Sequence, residues 1–155
     1  MNENEIREIV KNTIIASKSE MTLPLAERIA NAVIAEAERM GIKVVVCVSD
    51  AAGNPKLVKV MEDAYIASYD IAVNKAFTVV ALKMPTVKLK SLAAPGGELY
   101  GIQFTNGGKI VIFGGGDPLI NPKGKIIGGL GVSGGSEAQD IALSEFGKSF
   151  FETKI

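Results

Sequence analysis

Histidine and tryptophan are absent from the 155 residues, and cysteine occurs once, at Cys47. The chain therefore lacks the commonest general base, zinc ligand and proximal haem ligand, which excludes a Ser-His-Asp triad and a histidine-based metal site within one chain. A single cysteine forms no internal disulfide, so a cytoplasmic location is expected. Because Cys47 lies in an apolar run with no neighbour that would lower its pKa, we expect a small buried hydrophobic residue there.

Net charge is also missing, since 17 basic residues balance 17 acidic ones. Without an overall positive field the chain does not attract nucleic acid or an anionic membrane, and no apolar run is long enough to cross a bilayer. We expect neither kind of partner. A chain of this length is expected to form one domain that buries about two-thirds of the surface of its unfolded form.

Glycine is concentrated between Gly114 and Asp140, where it occupies nine of 27 positions. Gly114–Pro118 and Asn121–Gly124 are predicted as turns. Lys125–Ser133 is predicted as a strand that another segment approaches closely on its glycine side. Ser136 then has the character of an N-cap for a final helix.

This stretch resembles the GlcG/HbpS family, also called the haem-degrading domain family, which recurs as the C-terminal domain of PduO-type corrinoid adenosyltransferases. The resemblance rests on GGxPL, a turn glycine, IGGLGVSGG and a helix that opens with a QD pair. Upstream, Val44–Ala64 resembles the family's strand, D-x-x-G turn, second strand and M-x-x-A, and Asn74–Thr78 resembles its KA-x-T helix segment. The similarity covers about residues 22 to 150.

The resemblance implies a haem or cobalamin-type tetrapyrrole as ligand, bound by an accessory protein of propanediol or glycerol (diol) utilisation. Without histidine, the candidate axial ligands are Met61, Tyr65, Tyr100, Lys75 and Cys47, or none. Met61 and Lys75 match the M-x-x-A and KA-x-T positions and rank first. The alternative is that Met61 fills core space and that Lys75 forms an ion pair with Asp63, Glu62 or Asp140.

Two other functions stay open. The first is an enzyme acting on a small hydroxylated or carbonyl metabolite at a corner formed by Gly115, Gly116, Ser133 and Asp140, with Asp140 as the candidate catalytic base. The backbone amides around Ser136, at the same corner, are a candidate binding site for a small anion or carboxylate. The second is a non-catalytic microcompartment assembly factor. The sequence leaves open whether any reaction is catalysed.

Residues 1–20 are predicted as a separate module, an amphipathic helix followed by a polar linker. Its apolar stripe is formed by Ile6, Ile9, Val10, Thr13 and Ile14. Asn2 and Glu5 have the spacing of a capping box. The helix packs on the domain or a sister subunit in one interpretation. In the other it resembles the encapsulation peptides of bacterial microcompartment cargo, so that residues 1–18 contact shell or cargo in the microcompartment lumen.

Residues 22–155 are predicted as one α+β domain. The family implies a profilin-like arrangement, an antiparallel sheet of about five strands flanked by helices, with a helical insertion between strands two and three. The strands are predicted at Ile42–Val48, Lys56–Val60, Ile102–Phe104, Lys109–Phe113 and Lys125–Ser133. A homo-oligomer is expected, because small glycine-edged faces permit close contact between subunits.

Overall fold

The structure, a computed structural model, describes all 155 residues as an α+β chain. Its elements are α1 (Glu3–Ser17), α2 (Leu23–Met40), β1 (Val45–Asp50), β2 (Pro55–Val60), α3 (Ile66–Ala81), α4 (Thr86–Leu92), β3 (Gly116–Ile120), β4 (Ile126–Ser133) and α5 (Glu137–Thr153), with short 3-10 turns at Ile102–Phe104 and Asn106–Gly108. The sheet order is β2-β1-β4-β3, and every neighbouring pair is antiparallel. None of the helices combines the length and apolar character needed to cross a membrane.

The sheet has four strands, so the prediction of five was wrong. Ile102–Phe104 forms a 3-10 turn, and positive φ angles at Asn106, Gly107 and Gly108 interrupt the extended backbone after it. Lys109–Phe113 forms no strand. The Val111 amide in this segment donates to the Thr78 hydroxyl of α3 at 3.0 Å, a bond that a neighbouring strand would otherwise make.

The third strand instead lies in the segment predicted as a turn. Gly116 pairs with Gly131 and Pro118 with Gly129, so β3 is an edge strand of the sheet. An edge position tolerates proline, because the missing N–H has no ladder partner to lose on the open side. The helical insertion between strands two and three is present as α3 and α4. The profilin-like arrangement stays a prediction.

The two faces of the sheet are packed differently. On one face α2 and α5 form the main core with side chains such as Ile29, Val46, Leu130, Leu143 and Phe151. On the other face α3 packs its alanines Ala72 and Ala76 against Val45 and Cys47. Cys47 is fully buried, as predicted, and burial raises the pKa of its thiol to about 12.

α3 lies directly against the backbone of β4. A Cβ atom at Gly131 would collide with the Ala72 carbonyl oxygen, and one at Gly129 with the Ala76 carbonyl oxygen. The predicted close approach on the glycine side of this strand is therefore present. The approaching segment is the middle of α3.

α1 lies outside this packing, since none of its side chains is buried. The predicted capping box is present, with the Glu5 amide donating to Asn2 Oδ1 at 2.9 Å. The residue that follows α1 is anchored to the domain. Lys18 is buried, its Nζ donates to the Glu152 carbonyl at 3.3 Å, and its carbonyl accepts from Asn121 Nδ2 at 3.2 Å.

Candidate functional site

A cleft of about 260 Å³ opens between the first turns of α3 and α5, beside the end of β4. Tyr65 and Ser68 line it from α3, Ser133 from β4, and Glu137 and Asp140 from α5. Two larger surface cavities lie elsewhere, one of about 460 Å³ beside α1 and one of about 430 Å³ near the C-terminal end of α5. The cleft is the better candidate because it alone combines a buried ion pair with two buried hydroxyl groups.

The N-terminus of α5 is organised by its own capping residues. The Ser136 hydroxyl accepts from the Gln139 amide at 3.2 Å, while the Gln139 side chain accepts from the Ser136 amide at 2.9 Å. Ser136 is exposed and does not line the cleft. The cap directs the next turn of the helix so that Asp140 faces inward.

Lys75 and Asp140 form the buried ion pair. Lys75 Nζ donates to Asp140 Oδ2 at 3.1 Å and to the Val132 carbonyl at 2.7 Å. Asp140 Oδ1 accepts from the Gly135 amide at 2.9 Å. The ion-pair alternative for Lys75 is thus present, with Asp140 as its partner.

Burial acts on both members of the pair. It lowers the pKa of Lys75 and raises the pKa of Asp140, while their mutual attraction opposes both shifts. Both carboxylate oxygens of Asp140 are already bonded within the protein. This geometry suits a positioning ion pair better than a free general base.

Gly115 and Gly116 lie behind the pair and do not line the cleft. A Cβ at Gly115 would come within 2.6 Å of Lys75 Nζ, at a position whose φ is +112°. The Gly116 amide donates to Thr86 Oγ1 at 2.9 Å. Gly115 therefore makes room for the buried ammonium group, and Gly116 makes room for the Thr86 and Val79 side chains.

Ser68 and Ser133 form a second buried polar group on the floor of the cleft. Their hydroxyl oxygens are 3.1 Å apart, and the two residues are 3% and 5% exposed. Sequence reasoning found Ser133 and missed Ser68. The signal available for Ser68 was its spacing of two helical turns from Lys75, which puts both residues on one face of α3.

Glu137 also lines the cleft and was not predicted as a site residue from the sequence. It forms an ion pair with Lys90, and its Oε2 accepts from the Gly114 amide at 3.1 Å. These contacts lower the pKa of Glu137. The charge of this carboxylate is therefore also matched by a neighbouring lysine.

The predicted tetrapyrrole-binding residues are only partly brought together. Tyr65 is 74% exposed at the rim of the cleft, and Lys75 is buried beneath Asp140. Met61 belongs to the main core, where its sulfur accepts from the Val44 amide at 3.4 Å. Tyr100 is exposed in the loop after α4 and does not line the cleft.

Large apolar and aromatic side chains are exposed at the rim of the cleft. Ile66 and Tyr69, 97% and 52% exposed, follow Tyr65 along the first turns of α3. Tyr65 and Tyr69 are one helical turn apart and share a face. Nowhere do three or more Cys, Asp or Glu side chains converge as a metal-ion site. Of the candidate axial ligands predicted from the sequence, Tyr65 is the one that lines the cleft, and its side chain is exposed.

Known proteins resemble this chain over most of its length. Residues 21–147 match the model of the family described as haem degrading protein HbpS-like. An uncharacterized 15.0 kDa protein of the dhaT-dhaS intergenic region of Citrobacter freundii is 46% identical over 125 residues, which cover 81% of this chain and 87% of that protein. The corrinoid adenosyltransferase PduO of Salmonella typhimurium is 37% identical over 151 residues, covering 92% of this chain. The chain spans 45% of the length of PduO.

A solved structure carries the same fold. The complex of PduOC with heme superimposes with a TM-score of 0.79 at 35% sequence identity, covering 84% of this chain and 94% of PduOC. Helix α1 precedes the first residue of the family match. The cleft, by contrast, is formed by residues within the matched range.

Proposed function

Because the chain belongs to the HbpS-like family, we propose that it is a haem- or corrinoid-binding accessory protein of diol utilisation. The observation that carries the proposal is the match to PduOC, whose structure contains heme. The PduO relative and the relative of the dhaT-dhaS region fit a place in diol utilisation. The adenosyltransferase activity named for PduO is outside the proposal, since the chain matches less than half of that protein.

The tetrapyrrole lies on the face formed by Tyr65, Ile66 and Tyr69, beside the cleft. These side chains offer a contiguous surface on one helix, and aromatic rings supply much contact area to a flat ligand. A bound haem or corrinoid brings its own metal-centred chemistry. The chain's part is to hold and orient it, with Tyr65 as the assigned contact and the Lys75–Asp140 pair fixing the cleft behind.

The profilin-like arrangement and the homo-oligomer belong to the same proposal. Two edge strands, β2 and β3, border the sheet, and the exposed face of α3 is free of intramolecular cover. Association of copies would extend the surface offered to a flat ligand. Light scattering at micromolar concentration tests this, and a monomer would contradict it.

A titration tests tetrapyrrole binding. The purified protein is titrated with haemin and, separately, with cobalamin while the Soret and visible bands are followed. We expect a saturable shift with at least one of them, weakened about tenfold or more in Tyr65→Ala through the loss of ring contact. Phe104→Ala is the control, because Phe104 is 84% exposed and does not line the cleft. No shift with either compound overturns the proposal.

A metal-ligand role for the Tyr65 oxygen is tested separately. Tyr65→Phe keeps the ring and removes the hydroxyl. If the hydroxyl is an axial ligand, haemin still binds but the visible bands change position. Met61→Leu should leave the bands unchanged, because the Met61 sulfur is engaged by the Val44 amide inside the core.

α1 is proposed as the segment that docks the protein in a microcompartment. Its stripe is uncovered, with Ile6, Ile9 and Val10 44%, 53% and 50% exposed, and the family match begins only at residue 21. The expected occupant of this stripe is a shell protein, and the location is the microcompartment lumen. A fluorescent protein carrying residues 1–17 should co-sediment with purified shells, and a fusion with Ile6→Glu and Val10→Glu should not.

A deletion of residues 1–17 distinguishes binding to the shell from packing on a sister subunit. If α1 packs on another copy, removing residues 1–17 lowers the mass measured by light scattering. If α1 binds the shell, the mass changes only by the residues removed. A lower oligomeric state would therefore count against the docking proposal.

A further inference from the structure

We infer that the floor of the cleft is a carboxylate-binding subsite formed around Ser68 and Ser133. The inference deepens the proposed function and depends on it for the identity of the ligand, because the carboxylate it assigns is a propionate side chain of a bound haem. A small free carboxylate has the same chemistry and is the other source to be tested. The argument rests on the unmet hydrogen-bonding groups of the floor.

The two serine hydroxyls leave one proton without an acceptor. Their oxygens are 3.1 Å apart, so one hydroxyl proton lies between them, and neither oxygen donates to any other group of the chain. Both residues are more than nine-tenths buried and line the cleft. A buried donor without a partner is unfavourable, and the open side from which a partner can come is the cleft.

The start of α3 adds a backbone donor to this floor. Its N-cap residue, Tyr65, makes no side-chain capping bond, and the Ala67 amide donates to no group of the chain. Ala67 lines the cleft together with Ser68. The N-terminus of a helix of 16 residues favours negative charge, so the uncapped end complements an acceptor-rich ligand.

The two acidic residues of the cleft do not oppose the binding of an anion, because each carboxylate already forms an ion pair with a lysine. Asp140 is paired with Lys75 and accepts from the Gly135 amide, and Glu137 is paired with Lys90 and accepts from the Gly114 amide. Two lysines thus balance two carboxylates. The groups left unsatisfied at the floor are hydrogen-bond donors.

A carboxylate meets this requirement better than an alcohol or an amide does. Its two oxygens accept several hydrogen bonds and donate none, so it satisfies a hydroxyl and a nearby amide together. Haem presents two propionates at its edge, whereas the peripheral groups of cobalamin are mostly neutral amides. The subsite therefore predicts a preference for haem with free propionates over a tetrapyrrole without them.

The test compares haemin with haemin dimethyl ester, which keeps the ring and iron but lacks the carboxylates. We expect haemin to bind about tenfold or more tightly than the ester, and the difference to disappear in the Ser68→Ala, Ser133→Ala double variant. Ser91→Ala is the control, since Ser91 is exposed and bonds only the Lys88 carbonyl. Far-UV circular dichroism and thermal melting check the fold, and Ser133→Ala alone serves if the double variant is unstable.

The outcomes separate this inference from the proposed function. Equal affinity for haemin and its ester overturns the carboxylate subsite while tetrapyrrole binding stands. If neither tetrapyrrole binds, the function fails, and the subsite is tested alone by titrating propionate and following the Ala67, Gly134 and Gly135 amide resonances. Saturable shifts lost in the double variant support the subsite for a free carboxylate, and absence of shifts overturns it.

Discussion

Lys75 and Asp140 are 65 residues apart in the chain, yet Lys75 Nζ lies 3.1 Å from Asp140 Oδ2 at a place almost closed to water. The contact ties the inserted helix α3 to the first turn of α5 across the end of β4. Each charge depends on the other, because an isolated buried charge has lost its hydration and gained no partner.

Replacing one member of this pair should destabilise the protein strongly. We expect Lys75→Met to reduce the free energy of unfolding by about 3 to 5 kcal/mol, because it leaves Asp140 buried without its cation. Chemical denaturation monitored by circular dichroism measures the change. Adding Asp140→Asn should cost much less than the two single changes combined. Additive costs would show that the two side chains are not coupled.

An exposed ion pair provides the comparison. Arg7 and Glu3 form one on α1, with side chains 74% and 79% exposed. Arg7→Met should leave the unfolding midpoint unchanged within error, since exposed pairs contribute little. An effect as large as that of Lys75→Met would contradict the role assigned to burial.

Asp117 should make stability depend on pH. It is buried on β3, where the Ser144 hydroxyl donates to its Oδ2 at 2.6 Å, and burial raises its pKa from 3.8. Between 3.8 and the raised value the folded state holds the proton more firmly than the unfolded state, so this group's contribution to stability falls as pH rises through that window.

Asp117→Asn removes this titration and keeps an acceptor for Ser144. As pH rises above 3.8, the melting temperature of the variant should shift upward relative to that of the wild type, until the wild-type carboxyl is fully ionised. Thermal melts of both proteins across this range measure the difference. A difference that is constant with pH would contradict the raised pKa.

A methyl group at Gly131 should disrupt the contact between α3 and β4. The added Cβ collides with the Ala72 carbonyl oxygen, a backbone atom that cannot rotate away. We expect Gly131→Ala to cost about 3 kcal/mol, measured by chemical denaturation. Gly124→Ala is the comparison, because Gly124 has φ of +78° and open space, so the cost there is backbone strain of about 1 kcal/mol. Equal costs would argue against close packing of the helix.

Truncation should distinguish α1 from the residue that follows it. Removing residues 1–17 should leave the melting temperature nearly unchanged, since α1 buries no side chain. Removing Lys18 as well should lower it, because the Lys18 stem packs over Phe151, with Nζ 4.9 Å from the ring centroid. Equal melting temperatures would show that Lys18 does not anchor the start of the domain.

The parts of the fold that follow apolar periodicity could be predicted from the sequence. The helices α1 and α5 and the strands β1, β2 and β4 lie close to their predicted positions. The strand β3 was missed because Gly116 and Pro118 have the composition of a turn. Only its position at the edge of the sheet, a tertiary property, makes proline acceptable there.

The site was predictable where one residue carried a distinctive signal, and not where two distant residues share a role. Ser133 and Asp140 stood out within the glycine-rich stretch. Ser68 did not, because its partner Ser133 is 65 residues away in the sequence and a serine on a helix does not by itself indicate a binding site. The sequence likewise could not tell whether the Met61 sulfur faces a ligand or, as found, the Val44 amide.

At Gly129 and Gly131 the backbone of β4 lies directly against the Ala76 and Ala72 carbonyl groups of α3. Side chains can exchange rotamers or be replaced by others of similar volume, but a contact between two backbones has no such adjustable parts. The spacing between helix and strand is therefore rigid. Substitutions at exposed positions such as Tyr65 and Tyr69 therefore change the rim of the cleft without changing the distance between α3 and β4 at these glycines.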